Sequence, residues 1–221
     1  IYLGGQPLTR VKSFKYLGIT LQPTGTTYTL HIKDRMTASI RAMNDIKHLQ
    51  RISLQTAMKL FKAMILPVLT YGLQSTWQHL TKSNLNDVEK VKATFLKRAL
   101  CVSKFSSSRL VYELCRETML LEDLRLQLLL PSTPVYEAVV TEHRRKKTEI
   151  PVDFYATDAM TTDDWKEADY ELRHTVTRFA VHGFHFRLCS TKSFHEPKPD
   201  CVCSLCGKVC EKYHTLKCKN R

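Results

Sequence analysis

The stretch from Leu54 to Trp77, LQTAMKLFKAMILPVLTYGLQSTW, constrains the fold more than any other part of the chain. Apolar residues recur in it at helical spacings of three and four, and others fill the remaining faces. A helix that is apolar on nearly every side must be buried, so the stretch predicts a core helix on which its neighbours pack. Its predicted inner positions are Leu54, Met58, Phe61, Ile65, Leu69, Leu73 and Trp77.

Two residues of this predicted helix have local consequences. Pro67 lacks the N–H group that would bond the carbonyl of Ala63, so we expect a kink there. Gly72 is expected to be a close-packing point. The uninterrupted apolar run over residues 63–69 is far shorter than the about 18 residues that a membrane span needs, so no membrane partner is expected.

The flanking sequence predicts two more amphipathic helices, which complete a three-helix bundle with a basic exterior. One covers residues 30–49, and the other begins after Thr81 or Ser83; Ser53 is a predicted N-cap of the central helix. The apolar stripes are Ile32, Met36, Ile40, Met43 and Ile46 in the first, and Leu85, Val88, Val91, Phe95 and Ala99 in the second.

The residues before the helices favour β-structure. Gly4-Gly5 supplies the positive φ angles of a tight hairpin between residues 1–3 and 6–8. Residues 14–21, FKYLGITL, are predicted as a further strand in which Gly18 lets another backbone approach closely. Strand alternation would put Leu17, Ile19 and Leu21 on one face and Phe14, Tyr16 and Thr20 on the other.

Beyond residue 105 the sequence predicts shorter helices. They cover residues 109–118 and 120–130, the second ended by Pro131, and a third begins at Pro134 after Thr133 and ends in the basic cluster at 143–147. A long helix capped by Thr161 or Thr162 follows. Its predicted inner face is Trp165, Leu172, Val176, Phe179, Gly183 and Phe186.

Positive charge is concentrated in the first hundred residues and at the end of the chain. Residues 1–100 contain 15 Lys and Arg against 4 Asp and Glu, residues 101–189 contain 12 against 14, and residues 190–221 contain 7 against 3. Nucleic acid is the partner that such a distribution most often serves, because neutralised phosphates release counterions. The competing interpretation is a solvated surface without a ligand.

The cysteines predict a metal site rather than a disulfide framework. Five of the eight lie between Cys201 and Cys218, and we expect Cys101, Cys115 and Cys189 to pack as small hydrophobic residues. Four zinc ligands fit the spacing, with Cys201 and Cys210 as competitors and thiols without metal as the alternative. The predicted ligands are Cys203, Cys206, His214 and Cys218.

Catalytic motifs are weak in this sequence. Asp163, Asp164 and Lys166, with Asp153 upstream, resemble a restriction-type nuclease motif, but acids in a first helical turn are what helix electrostatics alone favours. His182 and His185 lack the spacing of a zinc protease motif, so we interpret them as a partly buried pair. Walker, dinucleotide-binding and G-x-S-x-G motifs are absent from the sequence.

The order of several motifs resembles the reverse transcriptases of non-long-terminal-repeat retrotransposons. The motifs are Phe14-Lys15-Tyr16-Leu17-Gly18-Ile19, His31-Ile32 opening a helix, Ile65-Leu66-Pro67-Val68-Leu69-Thr70-Tyr71-Gly72 and Trp77, and the terminal Cys and His residues resemble the zinc knuckle of those polyproteins. The family's aromatic-x-Asp-Asp motif does not occur here. The resemblance therefore implies a C-terminal fragment of an RNA-directed DNA polymerase that is inactive by itself.

The resemblance also implies a domain organisation within a mainly α fold. Residues 1–27 would form the end of the palm, in which residues 14–21 are the primer-grip hairpin, with Phe14 and Tyr16 against the primer sugar or the palm. Residues 28–104 would form a helical thumb around the template–primer duplex, residues 105–189 a helical linker region, and residues 190–221 a linker and zinc knuckle. The sequence has no signal-peptide pattern, so we expect a piece of a longer protein, located inside the cell in nucleus and cytoplasm.

The expected contacts follow from this organisation. Basic residues of the hairpin and helices would contact phosphates without regard to sequence, and the knuckle would clamp RNA or target DNA. The predicted nucleic-acid-binding residues are Lys12, Lys15, Tyr16, Lys33, Arg41, Lys90, Lys92, Lys97, Arg98, Lys208, Lys212 and Tyr213. The alternatives are a free-standing zinc-containing helical adaptor that binds protein, and a nuclease centred on Asp153, Asp164 and Lys166.

Overall fold

The described part of the chain is mainly helical, as the sequence predicts. A computed structural model describes residues 2–3, 5–7, 11–23, 28–147 and 162–177. Two antiparallel hairpins come first: β1 (Tyr2–Leu3) with β2 (Gln6–Pro7), and β3 (Phe14–Tyr16) with β4 (Ile19–Leu21). The helices are α1 (Thr29–Asp45), α2 (Leu54–Leu60), α3 (Leu66–Thr70), α4 (Leu73–Thr76), α5 (Lys82–Ala99), α6 (Ser108–Cys115), α7 (Leu120–Gln127), α8 (Pro134–Lys147) and α9 (Thr162–Glu167).

Residues 14–21 form a hairpin, as the family resemblance implies, so the continuous strand predicted from their alternation is wrong. Leu17 and Gly18 both adopt positive φ angles, 45° and 80°, which is the conformation of a type I′ turn. Phe14 pairs with Leu21 and Tyr16 with Ile19. Because paired residues share a face, Phe14, Tyr16, Ile19 and Leu21 lie on one side, and the predicted division of faces is wrong as well.

The central stretch forms the core, but it breaks at Gly72 and not at Pro67. A π-helical turn, Phe61–Ile65, precedes Pro67 and joins α2 to α3, so the helix continues through the proline. The 46° bend lies between Thr70 and Leu73, where Gly72 has a φ angle of 75°. All the predicted inner positions are buried, whereas Met64 and Tyr71 lie on an exposed face.

Helices α1 and α5 pack on this core and on each other. The whole predicted apolar stripe of α5 is buried, and in α1 Ile32 and Met43 are buried. The helix starts follow local capping: the side chains of Ser53, Thr81 and Thr133 accept bonds from the backbone N–H groups of Thr56, Asn84 and Tyr136. Ser53 was predicted as a cap and Thr133 as the residue before a helix start, and Thr81 rather than Ser83 caps α5.

The predicted long helix after residue 161 is interrupted. Helix α9 ends at Glu167, and a further helical segment begins at residue 170. Trp165 is buried as predicted and donates its indole N–H to the carbonyl of Leu114, but Leu172 is 43% exposed while Arg173 is 2% exposed. The break after α9 shifts the helical phase, so Arg173 takes the inward position. Phe179, Gly183 and Phe186 lie outside the described residues.

Two cysteines lie within the described part, in different surroundings. Cys115 is fully buried, as predicted, and burial raises the pKa of its thiol well above the usual range. Cys101 is exposed at a φ angle of 55°, because it follows the end of α5, so its predicted packing as a small hydrophobic residue is wrong. Cys189 lies outside the described residues.

Among the described helices, none is by itself long and apolar enough to cross a membrane. The bent pair Leu54–Thr70 and Leu73–His79 meets that test only when its two parts are taken together.

Candidate nucleic-acid interface

Helices α1 and α5 lie side by side and run in the same direction. Near their first residues, Asn84 Nδ2 donates to Thr29 Oγ1 at 3.3 Å. Near their last residues, an Arg98 guanidinium nitrogen donates to Asn44 Oδ1 at 2.6 Å. The outward faces of the two helices therefore meet at the Asn44–Arg98 hydrogen bond, which is itself exposed to solvent.

Four of the predicted phosphate contacts lie on these outward faces, and we name them the basic helix surface: Lys33, Arg41, Lys90 and Arg98. On each helix the two cations are eight residues apart, or about 12 Å along the axis at 1.5 Å per residue. Lys90 forms an ion pair with Asp87 at 2.8 Å, which offsets part of its charge. Lys33, Arg41 and Arg98 therefore supply most of the net positive charge of this surface.

Lys92 does not belong to this surface, so its assignment as a nucleic-acid contact is wrong. Its side chain is 2% exposed and its ammonium group lies 3.0 Å from Asp123 Oδ2 and 3.1 Å from Glu117 Oε2. It also donates to the carbonyl of Thr118 at 2.9 Å. These internal acceptors compensate the buried charge and turn Lys92 toward α7.

The inner face of α5 carries a second internal polar contact next to Lys92. The Glu89 carboxylate accepts the backbone N–H groups of Leu120 and Leu121, each at 3.0 Å, and thereby caps α7. The Tyr112 hydroxyl donates to the same carboxylate, and burial together with this negative charge raises the pKa of Tyr112. Glu89 and Lys92 thus fix α6 and α7 against α5.

Lys97 is intermediate between the outward and inward positions. It is half-buried and donates to the carbonyl of Lys104 at 3.1 Å, and burial lowers the pKa of its ammonium group. Its predicted role as a surface contact is therefore weaker than that of its neighbour Arg98, which is exposed.

The β3–β4 hairpin is held on the start of α1 by a histidine. The backbone N–H of Thr20 donates to His31 Nδ1 at 3.3 Å, and the other ring nitrogen, Nε2, lies 3.0 Å from the carbonyl oxygen of Tyr71. Because Nδ1 accepts, Nε2 must carry the proton and donate to Tyr71. The Thr20 hydroxyl adds a bond to Asp34 at 2.9 Å.

Tyr71 fixes the turn of the same hairpin. Its hydroxyl donates to the carbonyl of Leu17 at 2.6 Å, and its ring lies so close to Gly18 that a Cβ atom there would be 2.7 Å from Cε1. The Arg35 guanidinium lies over the ring, 5.6 Å from its centre. Gly18 therefore admits an aromatic ring, whereas the sequence predicted another backbone at this position.

Gly72 is a close-packing point, as predicted. A Cβ atom there would lie 3.0 Å from His31 Nε2 and 3.0 Å from a side-chain carbon of Ile19. The helix break at residues 71–72, the start of α1 and strand β4 thus meet at one place. We name this cluster the hairpin joint: Thr20, His31, Tyr71 and Gly72.

Burial dominates the electrostatics of the joint. Burial has the largest effect and lowers the pKa of the His31 imidazole. The hydrogen bond to the Tyr71 carbonyl and the charge of Asp34 raise this pKa, whereas the charges of Arg35 and Lys15 lower it. The ring is therefore neutral at pH 7 and has the donor and acceptor that its two partners require.

The hairpin presents an exposed apolar face and exposed cations. Phe14 is 58% exposed, Tyr16 60% and Leu21 38%. Lys12 and Lys15 are exposed as well. We name this the hairpin surface: Lys12, Phe14, Lys15, Tyr16 and Leu21.

The residues of the hairpin joint were not predicted to form a cluster, although their motifs were visible in the sequence. His31 and the Tyr71-Gly72 pair carried the family resemblance, and Gly72 was predicted as a close-packing point, but their contact with one another was not predicted, because contacts between separate segments leave no periodicity in the sequence. The contact of Arg35 with the Tyr71 ring was not predicted either, because the sequence pattern shows Arg35 only as one of the basic residues outside the apolar stripe of α1. A Cβ atom at Gly18 would meet the Tyr71 ring, and one at Gly72 would meet the His31 ring, which explains why both positions are glycine.

The acidic residues proposed for a nuclease are not assembled in the described part of the chain. Lys166 donates to Glu117 Oε1 at 2.8 Å, so it belongs to the internal ion network of Lys92. Asp163 and Asp164 are exposed in the first turn of α9, and Asp153 lies outside the described ranges. Within those ranges no three His, Cys, Asp or Glu side chains are grouped so that they would hold a metal ion.

The predicted C-terminal sites and the histidine pair, His182 and His185, lie beyond residue 177, outside the described residues. The C-terminal sites comprise the predicted zinc ligands Cys203, Cys206, His214 and Cys218, the competing ligands Cys201 and Cys210, and the predicted nucleic-acid contacts Lys208, Lys212 and Tyr213.

Protein-family models, curated proteins and solved structures gave no match to this chain.

Proposed function

We propose that this chain binds nucleic acid as the C-terminal part of a non-long-terminal-repeat retrotransposon RNA-directed DNA polymerase. In this role it holds the template–primer duplex and target nucleic acid, inside the cell in nucleus and cytoplasm, together with the remainder of the polymerase upstream. The sequence contains no aromatic-x-Asp-Asp motif, so we expect no polymerisation by this chain alone. The polymerase assignment rests on the motif resemblance.

One observation carries the nucleic-acid part of the proposal: the hairpin joint and the Asn44–Arg98 bond connect the hairpin surface to the basic helix surface. Cations on both surfaces are exposed and belong to elements that are packed together. Such contacts would bind phosphates regardless of base sequence, which is what a grip on a moving duplex requires. Phe14 and Tyr16 would pack against sugars or against the palm.

Salt dependence tests this proposal. We would measure binding of an RNA–DNA hybrid duplex by fluorescence anisotropy over a salt series. About five neutralised phosphates give a slope of about −4 in log K against log salt. Substituting Lys33, Arg41 and Arg98 together by Ala should make the slope shallower by about 2 to 3.

The matched control replaces two cations that are engaged elsewhere. Lys82 pairs with Glu142 at 2.8 Å and Arg144 pairs with Glu122, both through α8. Lys82→Ala with Arg144→Ala should leave the slope unchanged. A flat slope for the parent protein would overturn the proposal. It would favour the protein-binding adaptor, for which the exposed apolar hairpin face is the supporting observation.

The zinc part of the proposal rests on the donor set. Three thiolates and an imidazole are a tetrahedral set that zinc prefers, and a segment this small needs such a centre to fold. One zinc ion per chain is expected by elemental analysis. Cys206→Ser should lose it, whereas Cys201→Ser and Cys210→Ser should keep it; the opposite pattern would contradict the ligand assignment.

The nuclease alternative has its own test. We expect no metal-dependent cleavage of DNA or RNA by this chain. Cleavage that Asp164→Asn abolishes would establish that alternative instead.

A further inference from the structure

The two ring nitrogens of His31 form hydrogen bonds with two different elements. Nδ1 accepts the Thr20 N–H of β4, and Nε2 donates to the Tyr71 carbonyl at the helix break. A neutral imidazole offers one acceptor and one donor, which is what these two partners require. An imidazolium offers two donors, so its Nδ1–H would face the Thr20 N–H.

We propose that His31 is a positioning residue whose protonation releases the β3–β4 hairpin from α1. The inference goes beyond the proposed nucleic-acid binding, because it concerns a conformational change within the free chain. It depends on the three-element geometry of the joint and on the shortness of the hairpin strands.

The hairpin needs these contacts because it has few others. Its strands are three residues each, Phe14–Tyr16 and Ile19–Leu21, and an isolated two-stranded hairpin is marginally stable in water. At the β4 side it is attached to α1 through Thr20, which bonds His31 and Asp34. At the turn it is attached through the Tyr71 hydroxyl. Loss of the Thr20–His31 bond removes one of the few bonds that hold β4 on α1, and leaves those from the Thr20 hydroxyl to Asp34 and from the Leu30 N–H to Gln22 Oε1.

The charged and titratable groups around His31 come from all three elements. Lys15 comes from β3, Asp34 and Arg35 from α1, and Tyr71 from the helix break. Burial, Arg35 and Lys15 disfavour the imidazolium, whereas Asp34 and the Tyr71 carbonyl favour it. Burial is the largest effect, so the pKa of His31 lies below the value of 6.5 that an unperturbed histidine has.

The direction of the pH dependence follows from this lowered pKa. When the hairpin is undocked, His31 is exposed and its ring binds a proton near pH 6.5. When the hairpin is docked, the ring stays neutral to a lower pH. Docking is therefore fully favourable above about pH 6.5 and weakens as the pH falls toward the folded-state pKa. The hairpin surface, which carries Phe14, Lys15 and Tyr16, would lose its fixed orientation first, while the α1–α5 pair stays packed.

Amide hydrogen exchange of the full chain, measured by NMR without nucleic acid, tests the inference. Between pH 6.5 and the His31 pKa, protection of the Thr20 amide should fall up to tenfold per pH unit and then level off. Protection of the buried Phe95 amide in α5 should not follow this profile. Long-range proton–nitrogen spectra of the imidazole should show Nε2 protonated at pH 7. A Thr20 profile that follows Phe95, or a ring protonated at Nδ1, would overturn the inference.

Variants supply an independent readout. His31→Gln offers an acceptor and a donor that do not titrate, so the Thr20 step should disappear. His79→Gln, in which the replaced ring lies against Tyr28 just before α1, should keep the step. A step that persists in His31→Gln would contradict the inference. Because these readouts use no nucleic acid, the inference and the proposed function fail independently.

Discussion

The hydroxyl group of Tyr71 donates a hydrogen bond to the carbonyl oxygen of Leu17 at 2.6 Å, across 54 residues of chain. This bond attaches the tip of the β3–β4 hairpin to the break that ends α3. Leu17 adopts a φ angle of 45°, which is unfavourable for a branched residue, so the turn benefits from an outside partner. The orientation of the exposed Phe14 and Tyr16 side chains therefore depends on a residue of the central helical segment.

Tyr71→Phe should loosen the hairpin without removing the ring from Gly18. Losing one hydrogen bond costs about 0.5–1.5 kcal/mol, and the partial exposure of this pair favours the lower end of that range. Amide exchange of residues 15–20 should increase accordingly. Tyr16→Phe, on the same hairpin and 60% exposed, is the matched control and should have almost no effect. Equal effects of both changes would contradict the importance of the Tyr71–Leu17 bond.

Gly18→Ala should destabilise the protein more than Gly5→Ala does. Both glycines have nearly the same φ angle, 80° and 81°, so the backbone strain of about 1–2 kcal/mol is common to both. Only at Gly18 would the new Cβ meet the Tyr71 ring, at 2.7 Å, whereas nothing lies within 4 Å at Gly5. Urea denaturation should show a difference of at least about 1 kcal/mol. A difference near zero would mean that the ring moves away at no cost.

Lys92→Met should strongly destabilise the fold, whereas Lys90→Met should not. Removing the Lys92 ammonium group leaves Asp123 without this ion pair, Glu117 with Lys166, and the Thr118 carbonyl without this donor, at a cost of about 1–3 kcal/mol. Lys90 lies two residues away with its side chain 68% exposed, so its loss should change stability by about 0.5 kcal/mol or less. Thermal and denaturant unfolding of both variants gives the free energies of unfolding to be compared. Similar stabilities would show that Lys92 faces solvent, as the sequence pattern predicted.

Arg173→Met should cost more stability than Leu172→Ala. The Arg173 guanidinium donates to the carbonyls of Gln50 and Ile52, both at 2.7 Å, and its removal leaves these partly buried acceptors without their donor. We expect a loss of about 2–3 kcal/mol for Arg173→Met. Leu172 is 43% exposed, so its truncation should cost about 0.5 kcal/mol. A larger loss of stability for Leu172→Ala than for Arg173→Met would contradict this prediction and would support the helical phase predicted from the sequence, in which Leu172 points inward.

Local signals identified most of the helices and where they start. The caps at Ser53 and Thr133, the apolar stripe of α5 and the buried positions of the central segment depend on residues three or four apart, so they are visible in the sequence. The hairpin turn at Leu17 was harder to see, because a leucine at positive φ breaks the usual turn pattern. The break at Gly72 was assigned to Pro67, because the sequence does not show the π-helical turn that absorbs the proline.

The sequence by itself determined the helical fold class, the buried stripes and the concentration of positive charge in the first hundred residues. The tertiary structure decided which cations face outward, since Glu117 and Asp123 of other elements hold Lys92 inward, whereas Lys90 pairs with Asp87 of its own helix. It also decided that Thr20, His31 and Tyr71 meet, through bonds that span 11 and 40 residues. Periodicity records the apolar faces of single elements, whereas ion pairs and hydrogen bonds between elements depend on how those elements pack.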